Sequence, residues 1–177
     1  EEFKNILIVN IDAHLDTRID NIRHSGTPFR NFDEKSKTPF FLYQYGIHNF
    51  ANSPSTQEEL KNNKMHTSTL DFTSFNEEKF IKDIKEHCTF EITKDTFLLI
   101  SLDCDALHAS EMFAVSAVNH FGIKLNECLE LIKSLIKLEL KTGLGIYEYN
   151  PIFDDISSSS ARTLSYLIHT YILNLKN

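Results

Sequence analysis

Residues 5–16 have the sequence NILIVNIDAHLD, and this stretch decides the fold. Residues 5–11 form a continuous apolar run rich in isoleucine, which is typical of a strand buried on both faces of a parallel sheet. Residues 12–16 then place Asp12, His14 and Asp16 at alternate positions, where a buried strand would otherwise remain apolar. We therefore interpret the stretch as a core strand that leads directly into a functional site.

Similar apolar runs predict further strands at 96–102, 144–147 and 41–47. Apolar residues at three- and four-residue steps predict helices at 76–87, 125–140 and 157–175. Gly143 is a candidate stop for the second helix, and the serine run that opens the third is a candidate cap. Alternating strands and helices predict an α/β fold, with three α/β/α layers around a mostly parallel sheet, in a single domain over residues 1–177.

The net charge and the cysteine content indicate which kinds of binding partner and which cellular compartment to expect. The 177 residues carry a formal net charge of -7, which argues against nucleic acid because phosphate binding needs a basic surface. The three cysteines have no paired spacing, so we expect reduced thiols and a cytoplasmic protein. No apolar run approaches the roughly 18 residues of a membrane span. Homo-oligomerisation is left open.

The predicted strand at 96–102 also ends in acidic residues, Asp103 and Asp105. Sites in open α/β sheets lie beyond the carboxyl ends of strands, which would bring this pair to the same edge as Asp12, His14 and Asp16. If extended backbone continues, alternate side chains within each cluster point the same way. Four carboxylates and an imidazole crowded there would repel strongly unless a cation lies among them. Carboxylate and imidazole ligands without a thiolate favour Mn²⁺ over a structural zinc.

A plainer interpretation exists for each cluster taken alone. An isolated Asp-x-His is usually a loop or a helix cap, and an isolated Asp-x-Asp is usually a solvated turn. Both clusters occur here, each at the end of a buried-strand pattern. That combination favours the metal interpretation.

The motifs resemble those of the ureohydrolase superfamily, which contains arginases, agmatinases and formimidoylglutamases. Residues 10–16 (NIDAHLD) resemble its first metal signature, and residues 101–105 (SLDCD) resemble its second. Arg18 and the stretches 25–30 (SGTPFR) and 115–117 (VSA) are similar to formimidoylglutamases in particular. Residues 148–151 (EYNP), followed by Asp154 and Thr163, resemble the terminal Glu-x-Asn-Pro segment. The resemblance spans almost the whole chain and implies an arginase/deacetylase-like fold.

The resemblance implies a site with two Mn²⁺ ions. Asp12 and Asp103 would bridge the ions. Asp16 would complete one ion's shell, and His14 with Asp105 the other's. Asp16 is also the implied partner for the proton of the attacking water, which the ions activate. The implied reaction is hydrolysis of a small-molecule substrate, N-formimino-L-glutamate, to glutamate and formamide in histidine degradation.

The resemblance also implies residues that contact the substrate. Glu148, a catalytic candidate together with Asp16, would hold the cationic amidine-like end by a charge-assisted hydrogen bond. The motif match places Ser25 where related enzymes have an active-site histidine, and the neighbouring His24 is a candidate supporting group. From chemistry alone, Arg18 and Arg30 could receive the substrate's carboxylates.

Two departures from the family pattern stand out. The family has one more histidine ligand, in a Gly-Gly-His stretch before the first signature, which this chain lacks. We therefore expect the chain to be the C-terminal part of a longer catalytic domain. The family usually has Ala-Pro-Gly before Val-Ser-Ala, whereas this chain has Phe113-Ala114, so we expect a reshaped loop. We interpret the remaining histidines without ligand spacing as surface or core residues: His48, His66, His87, His120 and His169.

Three other functions stay open. Agmatinase-like or arginase-like specificity would use the same ligands for a guanidino substrate. A non-catalytic relative would keep the fold and the metals for binding or assembly, which the Phe113-Ala114 change motivates. A zinc-dependent deacylase of similar architecture also uses an Asp-x-His pair, although the Asp103/Asp105 pair and the Glu-x-Asn-Pro segment fit it less well.

Overall fold

Five strands and four α-helices make up the regular structure of the described residues, which in this computed structural model are 3–53, 60, 63–69 and 75–175. The strands are β1 (Asn5–Ile11), β2 (Phe40–Ile47), β3 (Met65–Thr69), β4 (Thr96–Asp103) and β5 (Lys141–Tyr147). The helices are α1 (Pro28–Lys35), α2 (Glu77–His87), α3 (Leu125–Ile136) and α4 (Ser159–Asn174). Short 3₁₀ turns follow β2, β4 and β5 at Asn49–Ala51, Cys104–Ala106 and Pro151–Phe153.

The sheet has the order β3-β2-β1-β4-β5, and every neighbouring pair is parallel. The chain builds outward from β1 through β2 to β3, then returns to place β4 on the other side of β1. The connections that leave β1 and β4 therefore run in opposite directions, which opens a crevice between their carboxyl ends. Ligands of open α/β sheets bind at such a switch point.

Helices cover both faces of this sheet, so the predicted three-layer α/β/α fold is confirmed. Leu7, Val9 and Ile11 of β1 lie in a core cluster that also contains residues of α2, α3 and α4. Ile8, the residue of opposite parity, packs in a second cluster with Phe29 of α1. Burial on both sides explains why β1 has a continuous rather than an alternating apolar run.

Two elements were not predicted. The stretch between Asp16 and Phe40 contains α1, whose short length and polar composition concealed its helical pattern, although Pro28 at its first turn is a common helix start. The strand β3 has the sequence MHTST, which lacks an apolar run because it lies at an edge of the sheet. Sequence patterns detect buried strands better than edge strands, since only the buried ones need apolar side chains on both faces.

Two predicted helix boundaries were wrong. The helix expected at 125–140 ends at Ile136, and Glu139 then adopts a left-handed φ of 55° that turns the chain toward β5. Gly143 lies inside β5 rather than at a helix end. The start of α4 is capped by carboxylates and not by the serine run: Asp154 accepts hydrogen bonds from the backbone N–H of Ser160 and of Ala161, both at 3.0 Å. Carboxylates at a helix N-terminus satisfy its free N–H groups.

Within the part of the chain that the structure describes, every helix is too short or too polar to traverse a bilayer. The predicted reduced thiols agree with the three free cysteines. Cys104 and Cys128 are buried in the core, where they act as small apolar fillers.

We expect Ile100→Ala to lower the free energy of unfolding by about 2–5 kcal/mol, because it removes a fully buried side chain from β4 and leaves a cavity. Urea denaturation monitored by circular dichroism measures the change. Ile156→Ala, at a fully exposed isoleucine, is the matched control and should change stability by less than about 0.5 kcal/mol. Equal losses in the two variants would contradict the placement of β4 in the core.

Candidate metal centre

The two acidic clusters meet at the carboxyl ends of β1 and β4. These strands are neighbours, and their register pairs Ile11 with Leu102. The next residue of each strand is an aspartate, Asp12 and Asp103, so the register itself brings the two carboxylates side by side. Both aspartates are buried, with exposed fractions of 2% and 7%.

Turns, rather than continued strands, aim the remaining residues at the same point. The strand β1 ends at Ile11, so the expectation that extended backbone would align the first cluster was wrong. Asp12 Oδ1 instead accepts a hydrogen bond from the backbone N–H of His14 at 2.7 Å. In the same way, Asp103 Oδ1 accepts from the N–H of Asp105 at 3.0 Å. Local side-chain-to-backbone bonds of this kind favour turns over strands.

The imidazole of His14 lies between two carboxylates. Its Nδ1 is 3.2 Å from Asp105 Oδ2 and 3.5 Å from Asp12 Oδ1. The other oxygen of Asp105, Oδ1, is buried and has no hydrogen-bond partner. Buried polar atoms are rarely left unpaired, because desolvation without a compensating bond costs about 1–3 kcal/mol. An orphaned carboxylate oxygen beside His14 and Asp12 is therefore a position suited to a cation.

The electrostatics of the cluster point the same way. Burial, reinforced by Asp12 and Asp105, raises the pKa of Asp103 from 3.8 to about 9. Burial also raises the pKa of Asp16 from 3.8 to about 7. Hydrogen bonds to Asp105 and Asp12 raise the pKa of His14 from 6.5 to about 10. Such a cluster ionises only at a large energetic cost, and divalent cations held by carboxylate and imidazole ligands remove that cost, so the residues present fit metal ions.

Buried amides hold the Asp12 carboxylate in place. Asn10 Nδ2 donates to Asp12 Oδ2 at 3.1 Å and to Gln44 Oε1 of β2 at 2.9 Å. Gln44 Nε2 in turn donates to the carbonyl of Leu15 at 2.6 Å. This chain of bonds links β1, β2 and the loop after Asp12, so it fixes the orientation of the Asp12 carboxylate.

A cavity of about 180 Å³ opens directly above these ligands. Glu148 lies in its wall with a left-handed φ of 60°, and its Oε2 accepts a hydrogen bond from Ser116 Oγ at 2.8 Å. Most residues that the sequence singled out line this cavity together: His14, Asp16, Arg18, Ser25, Asp103, Asp105 and Glu148. Ser116, Ala117 and Gly26 complete the lining.

The two candidate arginines occupy different places. Arg18 lies in the cavity wall over Gly26, where an added Cβ would approach Arg18 Cδ to 2.8 Å, so glycine is required for this packing. Arg30 is absent from the lining, and its Nη2 donates to the carbonyl of Thr17 at 3.0 Å. His24 also stays outside the lining, where its Nδ1 accepts from the N–H of Gly26 at 3.1 Å. Of the two candidate arginines, the structure thus places Arg18, and not Arg30, beside the candidate ligands.

Comparison with known proteins shows the family to which this chain belongs. The family model described as "Arginase family" matches residues 1–173. The chain belongs to the arginase family. It is 30% identical over 165 residues to formimidoylglutamase of Bacillus subtilis (strain 168), covering 92% of this chain and 51% of that protein. The chain thus spans about half the length of this curated relative.

Solved structures agree with the fold of the arginase family. The crystal structure of formimidoylglutamase from Bacillus subtilis has a TM-score of 0.76 at 26% identity, over 97% of this chain and 53% of that one. A formiminoglutamase of Trypanosoma cruzi, solved with Mn²⁺, has a TM-score of 0.73 at 23% identity, over 94% of this chain and 55% of that one. The second likeness shows the fold alone.

A second cavity of about 250 Å³ adjoins the first, and His14 and Ala117 line both. His48, which the sequence suggested was an ordinary histidine, is buried in its wall, and its Nε2 lies 3.4 Å from Asn119 Nδ2. Burial and the neighbouring His14 lower the pKa of His48. The sequence did contain a signal, because His48 directly follows the apolar strand β2, the neighbour of β1.

The loop that departs from the arginase-family pattern is anchored to the last helix. The backbone N–H of Phe113 donates to Ser160 Oγ at 3.4 Å, and that of Ala114 lies 3.3 Å from the same oxygen. The Ala114 carbonyl accepts from the N–H of Asn150 at 2.8 Å. A proline has no N–H to donate, so Phe113 allows a contact with α4 that the usual family sequence excludes. The Ala114 carbonyl ties the same loop to the segment that carries Glu148.

We expect chelator-treated protein to lose thermal stability as the pH rises from about 6.5 to about 8.5. In the folded state the pKa values of Asp103, about 9, and His14, about 10, lie above their ordinary values of 3.8 and 6.5. The folded chain then binds more protons than the unfolded chain throughout this window, so its stability falls with pH. Added Mn²⁺ should diminish the loss, because metal ions replace the protons.

Differential scanning calorimetry at the two pH values, with chelator and with Mn²⁺, measures this effect. Asp103→Asn should flatten the pH dependence in chelator, because the variant lacks one of the titrating groups. A melting temperature that does not change with pH in the chelator-treated wild type would show that these carboxylates are not crowded in solution.

Proposed function

We propose that this chain forms most of the binuclear manganese site of a formimidoylglutamase, which hydrolyses N-formimino-L-glutamate to glutamate and formamide in histidine degradation. The observation that carries the proposal is the orphaned, buried Asp105 Oδ1 within a cluster of carboxylates beneath an open cavity. The 30% identity to formimidoylglutamase of Bacillus subtilis supports the choice of substrate.

Two Mn²⁺ ions would be held by five residues of this chain: Asp12, His14, Asp16, Asp103 and Asp105. Oxygen-rich donor sets with a single imidazole suit Mn²⁺. The formiminoglutamase of Trypanosoma cruzi, which shares the fold, was solved with Mn²⁺. When bound, the ions would supply Lewis acidity that lowers the pKa of water.

The cavity walls provide complementary charges for the two ends of the substrate. Glu148 would accept a charge-assisted hydrogen bond from the cationic formimino group, and Ser116 orients its carboxylate by donating to Oε2 at 2.8 Å. Arg18, which lines the same cavity, would pair with a substrate carboxylate, and Ser25 would contribute a hydroxyl. Arg30 would act indirectly, since it donates to the Thr17 carbonyl next to Asp16.

Asp16 is the group suited to move a proton. It lines the cavity beside the candidate metal ligands, where its carboxylate would accept a proton from water and return it to the leaving nitrogen. Hydrolysis breaks the bond between the formimino carbon and the glutamate nitrogen, so that nitrogen must gain a proton as it departs. Asp16 lines the cavity together with Glu148, which allows both steps on one substrate.

We further propose that residues 1–177 form one domain within a larger catalytic unit, and that the protein is cytoplasmic. The chain spans about half of the Bacillus subtilis relative, which supports a larger unit. Three free cysteines support a reducing compartment.

The substrate assignment is tested by assaying the intact polypeptide that carries this sequence, loaded with Mn²⁺, on N-formimino-L-glutamate, arginine and agmatine. We expect turnover of the formimino compound, with formamide as a product and the highest kcat/KM of the three. Turnover of only the guanidino compounds would replace this substrate with an arginase-like or agmatinase-like one. Two bound ions per chain without turnover of any compound would favour a non-catalytic relative.

We expect Asp103→Asn to lower kcat by about 10³-fold or more, because the site would lose a buried negative charge that offsets the charge of the ions. Steady-state kinetics with matched metal analysis measures the loss. Asp95→Asn is the control, since Asp95 immediately precedes the same strand at its other end, where it pairs with Lys4. Near-normal turnover in Asp103→Asn would remove this residue from the site.

A further inference from the structure

A second group of potential metal ligands lies away from the carboxylate centre, between the edge strand β3 and helix α2. It consists of His66 in β3 and of Asp83 and His87, which are one turn apart in α2. One ligand atom from each residue lies within 4.8 Å of the others. The sequence does not predict this group, because its members come from two elements and its two histidines, His66 and His87, show no ligand spacing to each other.

The distances are long for hydrogen bonds but suit a shared ion. His66 Nε2 lies 3.3 Å from Asp83 Oδ2, and His87 Nδ1 lies 3.3 Å from Asp83 Oδ1. Typical hydrogen bonds to nitrogen are about 2.7–3.2 Å long. Tetrahedral zinc with bonds of about 2.0–2.1 Å separates its ligand atoms by about 3.3–3.4 Å. Each imidazole is at that separation from one oxygen of Asp83, His66 from Oδ2 and His87 from Oδ1, so a shared ion requires a small adjustment of the side chains.

The Asp83 carboxylate, at the centre of the group, is held by a hydrogen bond from the buried side of the site. Tyr43 of β2, which is 1% exposed, donates its hydroxyl to Asp83 Oδ2 at 2.5 Å. A partner of this kind fixes the orientation of a carboxylate ligand and leaves its remaining lone pairs directed outward. Tyr43 also pairs in register with His66, so the same residue sets the position of two group members.

The two imidazoles lie face to face beside Asp83. They stack with a centroid distance of 3.6 Å and an interplanar angle of 22°. Two protonated rings would repel at that distance. A neutral imidazole keeps a nitrogen lone pair, which is the form that binds metal.

We propose that His66, Asp83 and His87 form a second metal site, selective for a borderline transition-metal ion such as Zn²⁺, that links strand β3 to helix α2. Two imidazoles and one carboxylate are a donor set typical of zinc with one open position. That set contrasts with the carboxylate-rich centre, where hard oxygen ligands favour Mn²⁺. The group is half-exposed, so an ion can enter from solvent and retain a water molecule.

Binding requires one local rearrangement. His87 Nδ1 lies 2.9 Å from the carbonyl oxygen of Asp83 in its own helix. In that contact Nδ1 donates its N–H to the carbonyl, so the ring must break this bond and turn a nitrogen lone pair toward the ion, and the stack with His66 opens as it does so. Because the ion would join an edge strand to a helix, binding should stabilise the folded chain against unfolding.

The test measures zinc binding to the intact polypeptide whose carboxylate centre is loaded with Mn²⁺. Isothermal titration calorimetry gives the affinity, and elemental analysis after dialysis gives the number of bound ions. We expect one Zn²⁺ per chain in addition to the manganese, and a rise in melting temperature on zinc addition. His87→Ala should weaken this binding about 100-fold and abolish the rise, because a ligand is lost. His87 is exposed and helical, so alanine preserves the helix there.

His66→Ala provides the second variant from the other element, and it should lose zinc in the same way. His169→Ala, at an exposed histidine of α4, is the matched control and should bind zinc as the wild type does. Asp103→Asn should keep the zinc while losing turnover, which separates this proposal from the proposed function. Wild-type zinc affinity in both His66→Ala and His87→Ala would overturn the second site, as would zinc lost only in Asp103→Asn.

Discussion

Crowding of buried carboxylates is the constraint on which the rest of this structure depends. Asp12 and Asp105 are almost inaccessible, with exposed fractions of 2% and 3%, and Asp103 lies against both. Burial and like charge each oppose ionisation, so the array is stable as carboxylates only with compensating positive charge. The orphaned Oδ1 of Asp105 marks where that charge is missing from the protein's own side chains. A divalent ion would supply it without a further protein cation.

The fold tolerates this array because it is confined to the end of a well-packed sheet. Strands β1 and β4 occupy the interior of the sheet and are mostly apolar on both faces, with Asn10 and Ser101 as the polar exceptions just before the strand ends. Apolar burial along their length stabilises the domain and holds the two strand ends side by side. The same topology sends the following loops apart, which leaves room for a cavity above the ligands. The strand order therefore decides where the candidate metal centre lies before any loop is considered.

Features that depend on neighbours in the chain were predictable from the sequence. The continuous apolar run of β1 matched the observed strand at Asn5–Ile11, and the run before Asp103 matched β4 within one residue. The α/β class followed from the alternation of such runs with amphipathic helices. The candidate ligands could be named because an acidic residue directly after a buried strand has few structural explanations. Buried segments must consist mainly of apolar residues, and such segments can be recognised directly in the sequence.

What only the tertiary structure decided was which side chains meet. The ligands converge through turns closed by Asp12 and Asp103, not through the alternation of an extended strand. His48 lies beside the centre, and Arg30 is drawn away from the cavity to the Thr17 carbonyl. The sequence by itself determined the strands, the class of fold and the acidic clusters, because each rests on local apolar or charged patterns. Contacts between distant residues, including those of His66 with Asp83, depend on register and packing in three dimensions, which no local pattern encodes.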